Sequence, residues 1–313
     1  MQNILIIGGG GFIGTNLSLK LREYFNVFLV NRLNNNTSEL LKFENIHLLS
    51  SNVDNLTSDQ LISKNFHSII WLLHNTIPAS NNDLTVDIQS DLFPLINFLN
   101  LIKSINYTND FLYFSSGGTI YGNPDLKLPI HEDSTCAPIS QYGFSKQIAE
   151  QSLRFLSFDT KFHISIIRPS NVYGIYQNLN RSQGIIGHAF NSIVSKKPLL
   201  LFDDGRIERD FIHINDLSAF ILKLLNSKKN SLYEIYNIGS GRSTKLKSLI
   251  DLIVDISHCN IDIVLENPRK FDCEYNVLDI NKSMNIDNWK PLIDLKSGLE
   301  NYWEWFKNIN NAK

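Results

Sequence analysis

The stretch ILIIGGGGFIGTNL, residues 4–17, decides the fold. Four consecutive aliphatic residues have the length of a buried strand. Gly8, Gly11 and Gly14 follow at once in G-x-x-G-x-x-G spacing, and an apolar helical pattern begins behind them. Glycines let backbone N–H groups approach a diphosphate, and a helix N-terminus favours its negative charge. A strand-turn-helix of this kind predicts dinucleotide binding. A tight turn between strand and helix would use the same glycines.

Outward from this loop, strand-length apolar runs alternate with helical segments. Strands are expected at Asn3–Ile7, Val27–Asn31, Ile46–Leu49, Ser68–Leu73, Phe111–Ser115 and His163–Arg168, with helices near 12–24, 84–104 and 140–157. Repeated β-α-β units imply an α/β protein with a doubly wound parallel sheet, covered by helices on both faces. After Arg168 the rhythm breaks into loops rich in Asn, Gln and Gly around 174–184. Shorter elements follow near 185–195, 199–202, 215–226, 234–238, 244–257 and 295–308. The expected division is a dinucleotide-binding domain over 1–170 and a smaller substrate-binding lobe over 171–313, with segments of 205–238 returning to the first domain.

The chain of 313 residues is 43% apolar and 19% charged with net charge −2, a globular balance that points to neither nucleic acid nor an acidic membrane surface. Its apolar runs are strand-length, far below the ~20 residues of a membrane span. Gly8 interrupts the first run after four residues, which argues against a signal peptide. Cys136, Cys259 and Cys273 are scattered, with no disulfide framework or metal-ligand spacing, and fit a reducing cytoplasmic setting. No metal is expected.

Two further features carry chemistry. The second strand ends in Asn31 and Arg32, where an acid would hold the ribose 2′-hydroxyl of NAD. Without the acid a 2′-phosphate is not repelled, and Arg32 can pair with it. The cofactor is therefore NAD or NADP, with NADP favoured, although Asn31 can still bond the ribose of NAD. Tyr142 and Lys146 lie four apart, on one face of a helix. A free tyrosine titrates near ~10, too high for a base at neutral pH. One ammonium at ~5 Å and an effective dielectric of ~20 gives roughly 3 kcal/mol, or about two pKa units. Lys146 together with a nicotinamide cation is expected to bring Tyr142 into working range.

With these residues in place the chain resembles the extended short-chain dehydrogenase/reductases that act on nucleotide sugars, of the UDP-galactose 4-epimerase type. The resemblance rests on GGGGFIG (8–14), SSGGTIYG (115–122), PIHED (129–133), YGFSK (142–146), IRPSNVYG (167–174), RDFIHINDL (209–217), YNIGSG (236–241) and LDINKS (278–283), in that order. It implies a Rossmann-like fold, a nucleotide-sugar substrate and a homodimer through the helices near 84–104 and 140–157. It implies that Tyr142 is the base and that Lys146 is its partner and holds the nicotinamide ribose. Gly11, Phe12 and Ile13 would contact the diphosphate, Asn52 and Val53 would flank adenine, Leu72 would border the cofactor and Pro169 would lie near the nicotinamide. Asn171, Arg209 and Arg269 would hold the substrate diphosphate, and Phe202 would line the nucleobase pocket. Arg209 pairing with Asp210 or Asp216, and Phe202 as a core aromatic, are the structural alternatives.

The chain departs from the family pattern at Asn31, at Trp71 and His74 in IIWLLH, at Asp91, at Asp203 and at Gly117. His74 is read as a lone histidine of structural or cofactor-adjacent role. The family's hydroxyl four residues before Tyr121 is missing at Gly117, leaving Ser116 and Thr119 to replace it, with Thr119 favoured. The sugar dehydratases carry Thr-Asp-Glu where this chain has Gly117-Gly118-Thr119, so dehydration is set aside. A 4-epimerase is the leading expectation, an NADPH-dependent 4-ketoreductase the alternative, and a non-catalytic dinucleotide-binding sensor a third.

Overall fold

Ile4 and Ile6 face one side of the first strand and Leu5 and Ile7 the other, and all four are fully buried. A strand apolar on both faces needs a covering layer on each, as in a doubly wound sheet. The computed structural model describes residues 1–75, 84–124, 126–177, 184–269 and 272–311. Of the loop expected around 174–184, residues 178–183 lie outside the described residues.

The main sheet contains β1 (Asn3–Ile7), β2 (Asn26–Val30), β3 (Ile46–Ser50), β4 (Phe66–Trp71), β5 (Asp110–Phe114) and β6 (His163–Pro169). The strand Tyr233–Ile238 pairs in parallel with β6, so the sheet order is Tyr233–Ile238, β6, β5, β4, β1, β2, β3. All pairings in this sheet are parallel. The order reverses between β1 and β4. There the connections leave in opposite directions and open a crevice beyond the carboxyl ends of the strands.

Helices α1 (Phe12–Leu21), α2 (Asn35–Leu40), α3 (Ser58–Lys64), α4 (Leu84–Asp87), α5 (Phe93–Ser104) and α6 (Gln141–Ser157) connect these strands. The continuous helix expected over 84–104 is corrected by one π-helical turn at Ile88–Leu92, between α4 and α5. Pro94 supplies the reason. It has no N–H for the carbonyl of Ser90, four residues back. That carbonyl instead accepts from the Asn75 side chain at 2.9 Å. The helix expected from 244 begins at Leu246, because Thr244–Lys245 pairs as a strand with Glu208–Arg209.

A third apolar cluster lies outside the sheet. Tyr173, Phe190, Leu249, Tyr302, Trp303 and Phe306 join the helices Ile185–Ser195, Leu246–Ser257 and Leu295–Asn311. Among the described residues no helix is long and apolar enough to cross a membrane.

Ser140 caps α6, accepting from the Gly143 N–H at 3.1 Å. Two turns further on, Glu150 receives Arg168 of β6 through two hydrogen bonds, at 3.0 and 2.5 Å, and both side chains are 3% exposed. Arg168 also donates to Tyr121 Oη and to the Glu132 carbonyl. Tyr121 Oη donates to Asn237, whose N–H donates to Glu132 Oε1. One buried guanidinium thereby ties α6, β6, the loop after β5 and the edge strand together. Arg168→Met strands the Glu150 charge, so the expected loss in denaturant titration is about 3–5 kcal/mol. Arg168→Met combined with Glu150→Leu recovers most of it. A single variant that unfolds at the wild-type midpoint contradicts the role given to the pair.

Candidate functional site

A cleft of about 2150 Å³ runs from the glycine loop past Tyr142 to Arg209 and Arg269, and every site residue named from the sequence lines it. At one end Gly8 turns the chain at φ +89°, a left-handed conformation that glycine adopts freely. A Cβ on Gly14 would stand 2.5 Å from the Gly8 carbonyl oxygen, so α1 approaches β1 this closely only with glycine there. No side chain caps α1, and Gly11, Phe12 and Ile13 border the cleft, with their backbone at the positive end of the helix. These features fit a dinucleotide diphosphate.

Beside them, Asn31 donates to the Arg32 carbonyl at 2.5 Å and to Thr37 Oγ1 at 2.8 Å. Both amide hydrogens are then engaged, which leaves Oδ1 as the acceptor on that side chain. Arg32 is exposed at the rim. Asn52 accepts from the Asp54 N–H, and the neighbouring Val53 is buried. Leu72 follows β4, and Pro169 ends β6.

At the centre, Lys146 is buried and donates to the Phe114 carbonyl at 2.8 Å. Its Nζ lies 5.8 Å from the centre of the Tyr142 ring. Burial pulls the Lys146 ammonium down to about 8, against the opposing pull of Asp91 and Glu150. Burial also pushes the Tyr142 phenol well above its ordinary value; the nearby Ser116 hydroxyl works the other way, and the Asp91 charge adds to the rise. In the protein alone, burial therefore sets Tyr142 high and weakens Lys146 as a cation, and the expected lowering by Lys146 together with a nicotinamide cation belongs to the bound state. Thr119 Oγ1 donates to Ser116 Oγ at 2.9 Å, so Ser116 is the hydroxyl beside Tyr142 and Thr119 stands behind it.

His74 is not alone. Its Nδ1 lies 2.9 Å from Asp91 Oδ2, and its ring meets the Tyr142 ring edge-on at 4.6 Å. Both residues stood out in the sequence as separate departures. Their meeting across 17 positions has no signal in a single sequence, because a π-helical turn produces it.

At the far end, the Arg269 guanidinium stacks 4.1 Å from the Phe202 ring and pairs with Asp272 at 2.8 and 2.9 Å. Arg209 donates to the Glu208 carbonyl, and burial lowers its pKa. Asp210 instead receives Ser240 and Gly241, and Asp216 receives the Leu292 and Ile293 N–H groups. Asn171 donates to the Asp210 carbonyl at 3.0 Å. The structure thus brings cofactor-type, proton-transfer and anion-binding groups into one cleft.

Residues 4–239 match the NAD dependent epimerase/dehydratase family. The chain belongs to that family. A putative UDP-glucose 4-epimerase of Methanocaldococcus jannaschii is 29% identical, with 99% of this chain and 100% of the relative covered. The dTDP-4-dehydro-6-deoxyglucose reductase of Escherichia coli is also 29% identical, with 96% of each chain covered. The structure of a UDP-glucose 4-epimerase with UDP-glucose, from Thermotoga maritima, superposes with a TM-score of 0.90 at 26% identity, covering 99% of this chain and 100% of that one. The protein is an enzyme of this superfamily by that evidence.

The glycine at 117 has a local cause. A Cβ on Gly117 would stand 2.6 Å from Leu278 Cδ1 and 2.9 Å from the Arg168 carbonyl oxygen. The residue is also fixed from both sides, its N–H on the Pro169 carbonyl and its own carbonyl on Asn276 Nδ2, each at 2.9 Å. Protein, not substrate, fills the space at 117. Gly118 differs: a Cβ there has nothing nearer than Asn171 Oδ1 at 3.9 Å, and Gly118 borders the cleft. Restoring a hydroxyl with Gly117→Ser is expected to destabilise by about 1–3 kcal/mol through overpacking, without a gain in turnover. Gly118→Ala is expected to stay within about 0.5 kcal/mol. Thermal and denaturant unfolding of the two variants checks this, and a Gly117→Ser protein as stable as wild type refutes it.

Proposed function

We propose that the protein is a nucleotide-sugar 4-epimerase working with a nicotinamide dinucleotide. One observation carries the reading: a single cleft joins the glycine loop, the Tyr142–Lys146 pair and the two arginines. Family membership and the similar epimerases support it.

Gly8, Gly11 and Gly14 with the first turn of α1 hold the cofactor diphosphate, Asn52 and Val53 flank the adenine, Leu72 borders the cofactor, and Pro169 lies near the nicotinamide. When bound, a nicotinamide dinucleotide supplies the acceptor and donor of the hydride exchanged with sugar C4. Tyr142 takes the C4 hydroxyl proton as the C4–H bond breaks, and returns it after the 4-keto sugar has turned its other face. Ser116 and Thr119 pass the proton along their hydroxyls. Lys146, charged below about 8, favours the phenolate while it lasts and binds the ribose. Arg209, Arg269 and Asn171 grip the sugar-nucleotide diphosphate, since guanidinium forks match phosphate oxygens. Phe202 lines the nucleobase pocket. Positions 118 and 119 hold Gly and Thr. Water elimination would need a carboxylic acid and a carboxylate there.

Asn31 and Arg32 favour a second reading, an NADPH-dependent 4-ketoreductase, in line with the similar Escherichia coli reductase. The same residues underlie a preference for NADP. Exposed Phe93 on α5 and Phe144 and Phe155 on α6 support a homodimer through these helices, which sedimentation would reveal as a doubled mass.

Incubation with UDP- and dTDP-hexoses, with and without NADPH, separates the two reactions. C4 inversion without NADPH consumption is expected, and stoichiometric consumption overturns the epimerase reading in favour of the reductase. Tyr142→Phe is expected to lower kcat at least about a hundredfold with cofactor still bound. Near-normal turnover in that variant removes Tyr142 as the base. Arg32→Ala is expected to weaken NADP binding and leave NAD binding unchanged; equal NADP affinity in the variant disproves the contact.

A further inference from the structure

We propose that His74 and Asp91 form a positioning dyad for Tyr142, in which Asp91 anchors the imidazole and the imidazole braces the phenol ring edge-on. The inference rests on the reading of Tyr142 as the base. Its geometry is independent of which sugar is bound.

The dyad is built by the local chain. The turn at Ile88–Leu92 carries Asp91 toward the segment after β4. There Asp91 Oδ1 accepts the Asn75 N–H at 2.7 Å, while Oδ2 meets His74 Nδ1 at 2.9 Å. The Asn75 side chain closes the same joint by donating to the Ser90 carbonyl. Both dyad side chains are largely buried, at 14% and 10% exposure. Burial and the nearby Lys146 charge bring His74 down to about 4, against the pull of Asp91. The ring is therefore neutral at pH 7. A carboxylate on Nδ1 selects the Nδ1–H tautomer and fixes the ring plane, as in other carboxylate-imidazole pairs. Edge-to-face contact at 4.6 Å and 75° is a favoured aromatic arrangement and restrains the Tyr142 ring.

Position matters more here because Gly117 supplies no hydroxyl. Tyr142 has both Ser116 and His74 as neighbours. Among the described residues, the charged and titratable groups named around it are His74, Asp91, Lys146 and Tyr113, with Glu150 acting on Lys146. Asp91 does two things to this set. It holds His74 and, as a charge, it raises both Tyr142 and Lys146.

The test uses His74→Ala, Asp91→Asn and wild type, with full pH profiles. Each variant is expected to lower kcat about ten- to hundredfold, with KM for the nucleotide sugar changed less than about threefold, because positioning and not substrate binding is lost. Removing the Asp91 charge lowers the pKa of the base and of Lys146 together. Both limbs of the kcat/KM profile in Asp91→Asn should then move to lower pH, which a merely structural role would not produce. His74→Ala with kcat within about twofold of wild type, or an Asp91→Asn profile superposing on wild type, overturns the proposal. A second readout needs no turnover. Imidazole ¹⁵N shifts at pH 7, assigned by their loss in His74→Ala, should report a neutral ring protonated on Nδ1. A charged ring or the Nε2–H tautomer overturns the dyad even if the substrate class is wrong. The neutral Nδ1–H tautomer in a protein that turns over no nucleotide sugar keeps the dyad and discards the proposed reaction.

Discussion

The Arg168–Glu150 pair is the constraint on which the site depends. Tyr142, Lys146 and Glu150 follow one another at four-residue intervals along α6, so they share a face. Anchoring Glu150 to the strand β6 fixes that face toward the sheet. Lys146 then meets the Phe114 carbonyl at the end of β5, and Tyr142 stands over the crevice one turn further. A guanidinium suits the position because it stays charged when buried and satisfies a carboxylate with two parallel bonds. Its remaining donors reach Tyr121 and the Glu132 carbonyl, so the loop that carries Ser116 and Thr119 is set by the same group that sets Tyr142. Catalytic-type side chains from two separate segments are thus held in one frame.

This frame has a consequence for electrostatics. Tight burial gives precision, yet it also penalises every charge in the centre of the cleft. Tyr142 is held as a phenol and Lys146 is pulled toward neutrality, and the nearby Asp91 carboxylate opposes the phenolate further. A base prepared in this way becomes active only when compensating positive charge and hydrogen-bond donors arrive with the bound molecules. Proton transfer is thereby tied to occupancy in the proposed reaction.

The main sheet was legible because its information is local. Strand-length apolar runs, the glycine spacing and the helix periodicity each lie within a dozen residues, and the observed order of strands follows from packing both faces of such strands. Tyr142 and Lys146 were legible for the same reason, as one turn of one helix. The contacts that set the chemistry were not. Gly117 is closed off by Leu278 and by the Arg168 carbonyl, both distant in the chain, so the reason for the missing hydroxyl there is not written in its own stretch. His74 reads as solitary because its carboxylate sits 17 residues on, and only the π-helical turn before Pro94 brings it round. Arg209 reads as a partner for Asp210 or Asp216, yet those carboxylates are taken up by backbone N–H groups of other loops.

Long-range contacts also arrange the centre of the cleft for the proposed chemistry. Ser116 backed by Thr119 is the hydroxyl beside Tyr142, and His74 backed by Asp91 offers the edge-on support. Gly118 borders the same cleft and leaves open the space that a side chain would otherwise claim. A 4-keto sugar that must present both faces to one hydride carrier needs such clearance, whereas a reductase needs only one face. In the proposed chemistry, open space at Gly118 would serve an epimerase, whereas Asn31 and Arg32 elsewhere in the cleft would serve an NADPH-dependent reductase.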